Sequence, residues 1–366
     1  MELKGKGMMI WILSRCENGN PEAIARTAQA AGLTHVLIKI ANGTRAFNLD
    51  PNSGDDLVAP VVQSLKARGI AAWGWHYVYG DAPKSEADIA IRRVRELNLD
   101  GYLINAEGEY KDPGKDEAAA EFMTRIKAGL SSSTPVGLSS YRWPTYHPGF
   151  PWKEFLEKCD VNMPQVYWVK AHNPADQLAR SLREFQAITP YRPLIPTGPM
   201  YIYGSWEPTA REIVEFLDKT RALNLEAANF FAWYYARTIL QPLWSALSNY
   251  PWQPIPSLPD FPQRYINALN TRDVNQVVAL YGAAATHITP ARTIQGEAAL
   301  RSWYAAFFSQ ILPNATFTLQ NFSGGGTSWQ FSWTASASNG SVKDGNDTLG
   351  ILDGQITYHY SQFTVK

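Results

Sequence analysis

The sequence predicts a TIM-like (β/α)8 barrel followed by a smaller α+β domain. Short apolar runs alternate with amphipathic helical stretches over about 250 residues, a length that suits such a barrel. The segment 247–262 then contains five prolines, which leave too few backbone donors for a helix or a central strand. We therefore expect a barrel at 1–250, a proline-rich linker at 251–257 and a second domain at 258–366.

Eight strands are predicted in the first domain, and most of them are followed by a helix. The strand candidates are Gly7–Leu13, His35–Ala41, Ile70–Tyr79, Gly101–Ala106, Pro135–Ser140, Val161–Trp168, Leu194–Tyr201 and Ala228–Tyr234. The helix candidates are Pro21–Ala31, Asp56–Arg68, Lys84–Leu97, Asp116–Leu130, Ala175–Ala187 and Thr209–Leu223. A doubly wound open sheet would alternate in the same way. No GxGxxG or Walker A motif follows the first strand, however, so the pattern favours the closed barrel.

Composition and charge exclude several kinds of partner. The 366 residues include 33 Lys and Arg and 33 Asp and Glu, so no basic excess favours nucleic acid or an anionic membrane surface. The apolar run Met8–Leu13 is far too short to span a membrane, and its flanks do not resemble a signal peptide. Two cysteines predict no disulfide framework, and the absence of HExxH, CxxC and GxSxG motifs predicts no metal, cofactor or serine nucleophile. We expect a soluble, cytoplasmic protein.

The fourth predicted strand runs into a series of polar residues, Asn105-Ala-Glu107-Gly-Glu109. Side chains alternate along a strand, so Asn105, Glu107 and Glu109 should share the face that points into the barrel. Carboxylates there are costly unless they are solvated, paired or catalytic. Sugar hydrolysis needs such groups, since it uses one proton donor and a second group that stabilises or attacks the oxocarbenium-like transition state. The alternative is that Glu107 pairs with an arginine and Glu109 points into solvent.

Aromatic residues are abundant, with 13 Trp and 18 Tyr, and several of them end predicted strands. Aromatic rings of this kind can stack on sugars. The candidate ligand-binding residues are His76, Gln165, Tyr167, Trp168 and Trp233. The alternative is that the rings belong to the core and that His76 is a structural histidine. A carbohydrate or another small molecule is the expected ligand.

The order of segments resembles family-25 glycoside hydrolases, the lysozyme-type muramidases with an irregular β/α barrel. The resemblance lies in AGLTHVLIKIANG at 31–43, ARGIAAWGWHY at 67–77, QVYW at 165–168 and AWYY at 232–235. That family has an Asp-x-Glu on its fourth strand, where this chain has Asn105-Ala-Glu107. A weaker resemblance is to family-18 chitinases and their Asp-Gly-x-Asp-x-Asp-x-Glu pattern, against which residues 100–107 read DGYLINAE.

These resemblances imply hydrolysis of a glycosidic bond with Glu107 as the general acid, and an N-acetylated sugar is among the expected substrates. An asparagine cannot be the nucleophile, so Asn105 would hold a substrate N-acetyl group or orient Glu107. The second catalytic role would then fall to Glu109 or to the substrate's own amide. The acidic residue that lysozyme-type enzymes have on the first strand is absent, and the nearest carboxylate is Glu17. A barrel that binds carbohydrate without cleaving it is the alternative.

The second domain is predicted to begin with helices and to continue with strands. Its helix candidates are Phe261–Asp273, Val274–Tyr281 and a third that begins near Ile294, and its strand candidates are Ala315–Phe322, Ser328–Ala337, Asp347–Leu352 and Gln355–Gln362, with a turn at Asp353-Gly354. This order resembles the SnoaL-like group of the nuclear-transport-factor-2 superfamily, in which helices and a curved sheet enclose a conical cavity. In polyketide cyclases of the group, an Asp and a His at the positions of Asp347 and His359 line the cavity. The resemblance therefore implies an isomerase or cyclase activity as a further alternative, and a homodimer through this domain.

Overall fold

The computed structural model describes residues 3–252, 261–325, 327–352 and 354–366. The chain divides into two compact units, Met1–Ile255 and Pro256–Lys366, which we call the barrel unit and the C-terminal unit. Most of the predicted linker, residues 253–257, and Asp353 of the predicted turn lie outside the described residues.

Eight parallel strands form the curled sheet of the barrel unit. They are β1 (Gly5–Ile10), β2 (Leu33–Asn42), β3 (Ala71–Val78), β4 (Gly101–Ala106), β5 (Val136–Ser139), β6 (Val161–Asn162), β7 (Thr197–Pro199) and β8 (Ala227–Phe231). Neighbours follow the chain order from β1 to β6, and β1 also pairs with β8, which pairs with β7. Isolated bridges join Asn162 to Leu194 and Gln165 to Thr197, so the sheet closes between β6 and β7. The predicted TIM-like fold is confirmed.

Two of the predicted strands are shorter than expected. Val161–Trp168 and Leu194–Tyr201 have regular strand geometry only over β6 and β7. Pro164 and Pro196 interrupt them because proline has no backbone N–H to donate to the ladder. Their carbonyls still accept hydrogen bonds from neighbouring strands, so the barrel stays closed here with little regular pairing.

Helices cover the outside of the barrel in the predicted order. They are α1 (Pro21–Ala30), α2 (Val58–Lys66), α3 (Pro83–Glu96), α4 (Lys115–Gly129), α5 (Trp152–Leu156), α6 (Pro174–Gln186), α7 (Ala210–Ala222) and α8 (Gln241–Asn249). The sequence analysis predicted neither α5 nor α8. Helix α8 takes up the first three residues of the proline-rich segment 247–262, because Pro242 lies in its first turn and the other prolines come after its end.

Side-chain alternation separates the barrel interior from the layer beneath the helices. On β2, Leu37 belongs to the interior cluster, whereas Val36 and Ile38 pack against the helices. The interior cluster consists of Leu3, Met9, Leu37, Trp73, Trp75, Leu103, Met163, Ile195 and Ala227. The same alternation on β3 places Tyr77 on the inner side and His76 on the helix side. This alternation decides which polar side chains point toward the mouth of the barrel, the open end at which the strands finish.

The C-terminal unit has three α-helices and a six-stranded sheet among its described residues. The helices are α9 (Phe261–Thr271), α10 (Val274–Val278) and α11 (Glu297–Ala306). The strands are β9 (Tyr281–Thr289), β10 (Arg292–Gln295), β11 (Thr316–Gly325), β12 (Ser328–Ala337), β13 (Gly340–Leu352) and β14 (Gln355–Gln362), in the sheet order β10-β9-β14-β13-β12-β11. The sequence analysis predicted neither β9 nor β10. It assigned the first residue of β9 and the end of β10 to helices. Strand β9 lies between β10, its antiparallel neighbour, and β14, with which it pairs in parallel.

Candidate functional site

The polar residues predicted on the fourth strand lie at the carboxyl end of β4. Asn105 is inside the strand and buried, and Glu107 follows its last residue and is half-buried. Glu109 belongs to a short 3-10 turn, Gly108–Lys111, so its direction is set by this turn rather than by strand alternation. In TIM barrels the carboxyl ends of the strands form the functional face.

Gln165 connects two of these residues. Its Nε2 donates to Asn105 Oδ1 and to Glu107 Oε1, each at 2.9 Å. A carboxamide nitrogen has two hydrogens, so both bonds can form at once. Residue 165 reaches this position because its backbone bridges both Tyr141 and Thr197, where the barrel closes. The structure therefore brings three of the predicted site residues together.

Four half-buried tyrosines lie near the two glutamates: Tyr77, Tyr141, Tyr167 and Tyr201. The Tyr77 hydroxyl donates to Glu109 Oε2 at 2.9 Å. Burial and the charges of Glu107 and Glu109 raise the pKa of Tyr141 to about 12, and burial and the charge of Glu107 also raise the pKa values of the other three. All four hydroxyls stay protonated near neutral pH and can donate hydrogen bonds.

An aromatic wall extends from these tyrosines across the end of β8. The ring of Phe231 lies 6.1 Å from that of Tyr201 and 6.5 Å from those of Tyr167 and Trp11. Trp11 follows β1 and is exposed. The sequence analysis did not identify Trp11, Tyr141, Tyr201 and Phe231, although all four lie at or just after the end of a strand.

His76 lies away from the mouth, contrary to its predicted role in ligand binding. It is completely buried on the helix side of β3. Its Nε2 donates to Gly43 O at 2.7 Å, and its Nδ1 accepts from the Tyr102 hydroxyl at 2.9 Å. Burial lowers its pKa to about 3, so the ring is neutral. His76 is a structural histidine, because its side chain points to the face of β3 opposite to that of Tyr77.

Trp168 and Trp233 are also core residues rather than stacking platforms. Both are completely buried. Trp168 packs on Phe216 of α7 at 5.2 Å, and Trp233 packs on Trp244 of α8 at 4.9 Å. The irregular backbone after β6 turns Trp168 outward and Tyr167 toward the mouth, which strand-end position alone did not reveal.

Glu17, the carboxylate nearest to β1, already has partners. Its Oε1 accepts from Arg237 Nε at 2.8 Å and from Trp233 Nε1 at 3.3 Å. This ion pair ties the loop after β1 to the segment after β8. Glu17 therefore serves as a structural anchor in this arrangement.

The predicted pair in the C-terminal unit is hydrogen-bonded and buried. His359 Nε2 donates to Asp347 Oδ2 at 3.0 Å, and Trp333 Nε1 donates to Asp347 Oδ1 at 2.9 Å. The other nitrogen of the His359 ring accepts from the Tyr281 hydroxyl at 2.6 Å, and Tyr281 in turn bonds to Tyr304. A hydrogen-bonded chain thus runs from the carboxylate through the imidazole to two tyrosines.

A second histidine, which the sequence analysis did not identify, packs against this hydrogen-bonded chain. His287 stacks on His359 with 4.0 Å between ring centroids, because β9 and β14 place the two residues side by side. It is 2% exposed, and neither ring nitrogen has a hydrogen-bond partner among the described residues. Burial lowers the pKa of His287 to about 2, so the ring is uncharged.

Two kinds of feature are absent from the residues that the structure describes. No group of three or more His, Cys, Asp or Glu side chains there could hold a metal ion. No helix in that part of the chain is both long enough and apolar enough to cross a membrane.

Comparison with known proteins identifies the C-terminal unit. Residues 263–359 match the family model of the SnoaL-like domain, so the unit contains a SnoaL-like domain, as predicted. Two similar solved structures are NTF2-like proteins of unknown function. One from Cytophaga hutchinsonii is 12% identical and covers 30% of this chain and 94% of its own, with a TM-score of 0.25. One from Burkholderia xenovorans is 14% identical and covers 28% and 80%, with the same TM-score of 0.25.

The barrel unit is similar to a family GH18 chitinase from Cycas revoluta, which was solved in complex with allosamidin. The similarity covers 67% of this chain and 98% of that one, with 11% identity and a TM-score of 0.51. At this identity the likeness concerns the fold alone. The search of curated proteins found no match. The chitinase-type fold, the weaker of the two resemblances in the sequence, is confirmed for the barrel.

Proposed function

We propose that the barrel unit is a glycoside hydrolase in which Glu107 is the general acid, acting on an N-acetylated sugar. The observation that supports this most directly is the placement of the Glu107 carboxylate. Its Oε1 is held by Gln165, while its Oε2 makes no hydrogen bond to any residue that the structure describes. One oxygen is thus fixed and the other is left for a proton and a substrate. The chitinase-type fold is consistent with this use of the end of β4.

In the proposed reaction, Glu107 transfers its proton to the glycosidic oxygen as the bond from the anomeric carbon to that oxygen breaks. Positive charge then develops on the sugar ring. Either the Glu109 carboxylate or the substrate's acetamide oxygen stabilises that charge until water adds to the anomeric carbon and gives up a proton to the Glu107 carboxylate. Asn105 Oδ1 is bound to Gln165, so Asn105 acts here by positioning that amide. Tyr77 donates to Glu109 and holds this second carboxylate in place.

The test is hydrolysis of chitin oligosaccharides by wild type and by Glu107→Gln, which preserves side-chain size. General acid catalysis contributes about 10²–10⁴-fold, so kcat should fall by that factor while the oligosaccharide still binds. Glu215→Gln, in an exposed helical ion pair with Arg211, is the control and should change nothing. A loss with Glu109→Gln as large as that with Glu107→Gln identifies the second carboxylate, and a mild loss indicates substrate assistance. If the wild type binds glycans but cleaves neither chitin, peptidoglycan nor common glucans, the barrel is a binding module.

A specific observation favours a second candidate, an isomerase or cyclase activity in the C-terminal unit. The buried chain from Asp347 through His359 to Tyr281 can move a proton between carboxylate and imidazole. A small apolar ligand of this unit should raise its melting temperature, because a hundredfold excess over Kd stabilises by about 2.7 kcal/mol. Asp347→Asn should weaken this stabilisation. Equal ligand stabilisation in wild type and variant would contradict the candidate.

A further inference from the structure

Lys39 is a buried cation next to the candidate site. It lies on the inner side of β2 and is 6% exposed. Its Nζ donates to Asn42 Oδ1 at 2.8 Å and lies 4.9 Å from the ring centroid of Trp75 and 5.9 Å from that of Tyr77, the residue that binds Glu109. Burial lowers the pKa of Lys39 to about 8, so the ammonium is still protonated at pH 7. Its charge therefore lies on the inner side of the barrel, enclosed by the rings of Phe47, Trp75 and Tyr77, with a single hydrogen-bond partner among the described residues.

Two more cations flank the same site. Lys111 ends the turn that contains Glu109, and its Nζ lies 4.3 Å from the ring centroid of Tyr141. Arg142 is half-buried, and its guanidinium lies 4.2 Å from the ring centroid of Trp143. Neither forms an ion pair with a carboxylate in the part of the chain that the structure describes. An aromatic face holds a cation in place without neutralising its charge.

Some cations elsewhere on the barrel do have acidic partners among the described residues. Lys127, in the last turn of α4, pairs with Asp160 at 3.1 Å. That residue lies at the opposite end of the barrel, since the helices run back toward the amino ends of the strands. Near the mouth, Lys39, Lys111 and Arg142 form no ion pair with any residue that the structure describes, and the two glutamates occupy the proposed reacting position.

We infer that the barrel mouth accepts an anionic glycan, whose carboxylate groups pair with Lys39, Lys111 and Arg142. This inference rests on the proposed function, because it assigns the substrate class of the same site. A neutral sugar would leave these charges without a partner, whereas a sugar carboxylate supplies one, and a guanidinium can bind it through two parallel hydrogen bonds. Because Lys39 is buried, we expect it to favour an anionic over a neutral sugar most strongly, since a desolvated charge is costly to leave unpaired.

The experiment measures binding by calorimetry, with the full-length Glu107→Gln variant so that no ligand is hydrolysed. The probes are a hyaluronan hexasaccharide, in which N-acetylglucosamine alternates with glucuronate, its methyl ester, and chitohexaose. Hyaluronan should bind at least about tenfold more tightly than either neutral probe, and this advantage should shrink when salt is raised from 50 to 300 mM. Adding Lys111→Met or Arg142→Gln should lower the ratio of anionic to neutral affinity about 3- to 10-fold each. Adding Lys127→Met, the matched control at the opposite end, should leave the ratio unchanged.

The outcomes separate this inference from the proposed function. If the methyl ester or chitohexaose binds as tightly as hyaluronan, or if no probe binds, the inference is wrong, and hydrolysis by the wild type still decides the proposed function. Selective hyaluronan binding that persists in Lys111→Met and Arg142→Gln would also refute it, because the charge recognition would lie elsewhere. Selective binding that these variants reduce supports it even if the wild type cleaves no glycan.

Discussion

Asp347 should be the residue on which the stability of the C-terminal unit depends most visibly. Its carboxylate accepts from two buried donors, Trp333 Nε1 and His359 Nε2. The side chains of His359 and Asp347 are 0% and 1% exposed, so water cannot replace the lost acceptor in Asp347→Ala. An unpaired buried donor costs about 1–3 kcal/mol, and Asp347→Ala leaves two such donors without their acceptor. We expect the free energy of unfolding to fall by about 3–5 kcal/mol.

This loss is large enough to measure in the intact chain. At about 2.1 cal/mol/K of unfolding entropy per residue, it lowers the melting temperature of a unit of about 110 residues by about 13–21 °C. Hydrogen exchange followed by mass spectrometry assigns the loss to the C-terminal unit, because peptides from the barrel unit serve as an internal reference. Peptides from β13 and β14 should lose protection first.

Asp347→Asn is the matched control. Its amide oxygen can still accept from Trp333, and the His359 ring can change tautomer to accept from the new NH₂ group, donating instead to the Tyr281 oxygen. We expect a loss of only about 1–2 kcal/mol. The reasoning is refuted if Asp347→Ala lies within about 1 kcal/mol of wild type, or if the asparagine variant is equally damaged.

Three further predictions concern the barrel unit. Burial lowers the pKa of His35 to about 4 and that of His76 to about 3, whereas both would titrate near pH 6.5 when unfolded. The unfolded state then binds more protons, so urea denaturation should show stability falling by about 2–2.5 kcal/mol per pH unit from pH 6 to 4.5, and a flat profile would contradict this. Tyr167→Ala should weaken chitohexaose binding at least about fivefold, whereas the core substitution Trp168→Phe should leave the affinity within about twofold. Both are measured by calorimetry in the Glu107→Gln background. A larger loss with Trp168→Phe would overturn the placement of Tyr167 at the mouth and Trp168 in the core. Gly101→Ala should lower the free energy of unfolding by about 1–3 kcal/mol in thermal melts, because its Cβ would overlap a neighbouring indole, and an unchanged melting temperature would show that the site can relax.

The sequence by itself determined the order of elements in the barrel. All eight strands and six of the helices follow from local signals, namely apolar runs for the strands, amphipathic stretches for the helices and glycine or proline at their ends. Gly101–Ala106 agrees residue for residue, and Glu107 follows directly from it. Alternation along one strand is a local property, which is why the placement of Asn105 and Glu107 at the mouth could be predicted.

The tertiary structure alone decided which aromatic side chains reach the site. His76, Trp168 and Trp233 have the same local signal as Tyr167, a position at the end of a strand, yet they point away from the mouth. The direction of each side chain depends on which face of the strand its position occupies. After β6 it also depends on the irregular backbone, where the barrel closes through isolated bridges. The pairing of β9 with β14, which stacks His287 on His359, is likewise a contact between residues far apart in the chain. Local patterns fix secondary structure, but such contacts arise only when the whole sheet has formed, because they depend on pairing between distant segments.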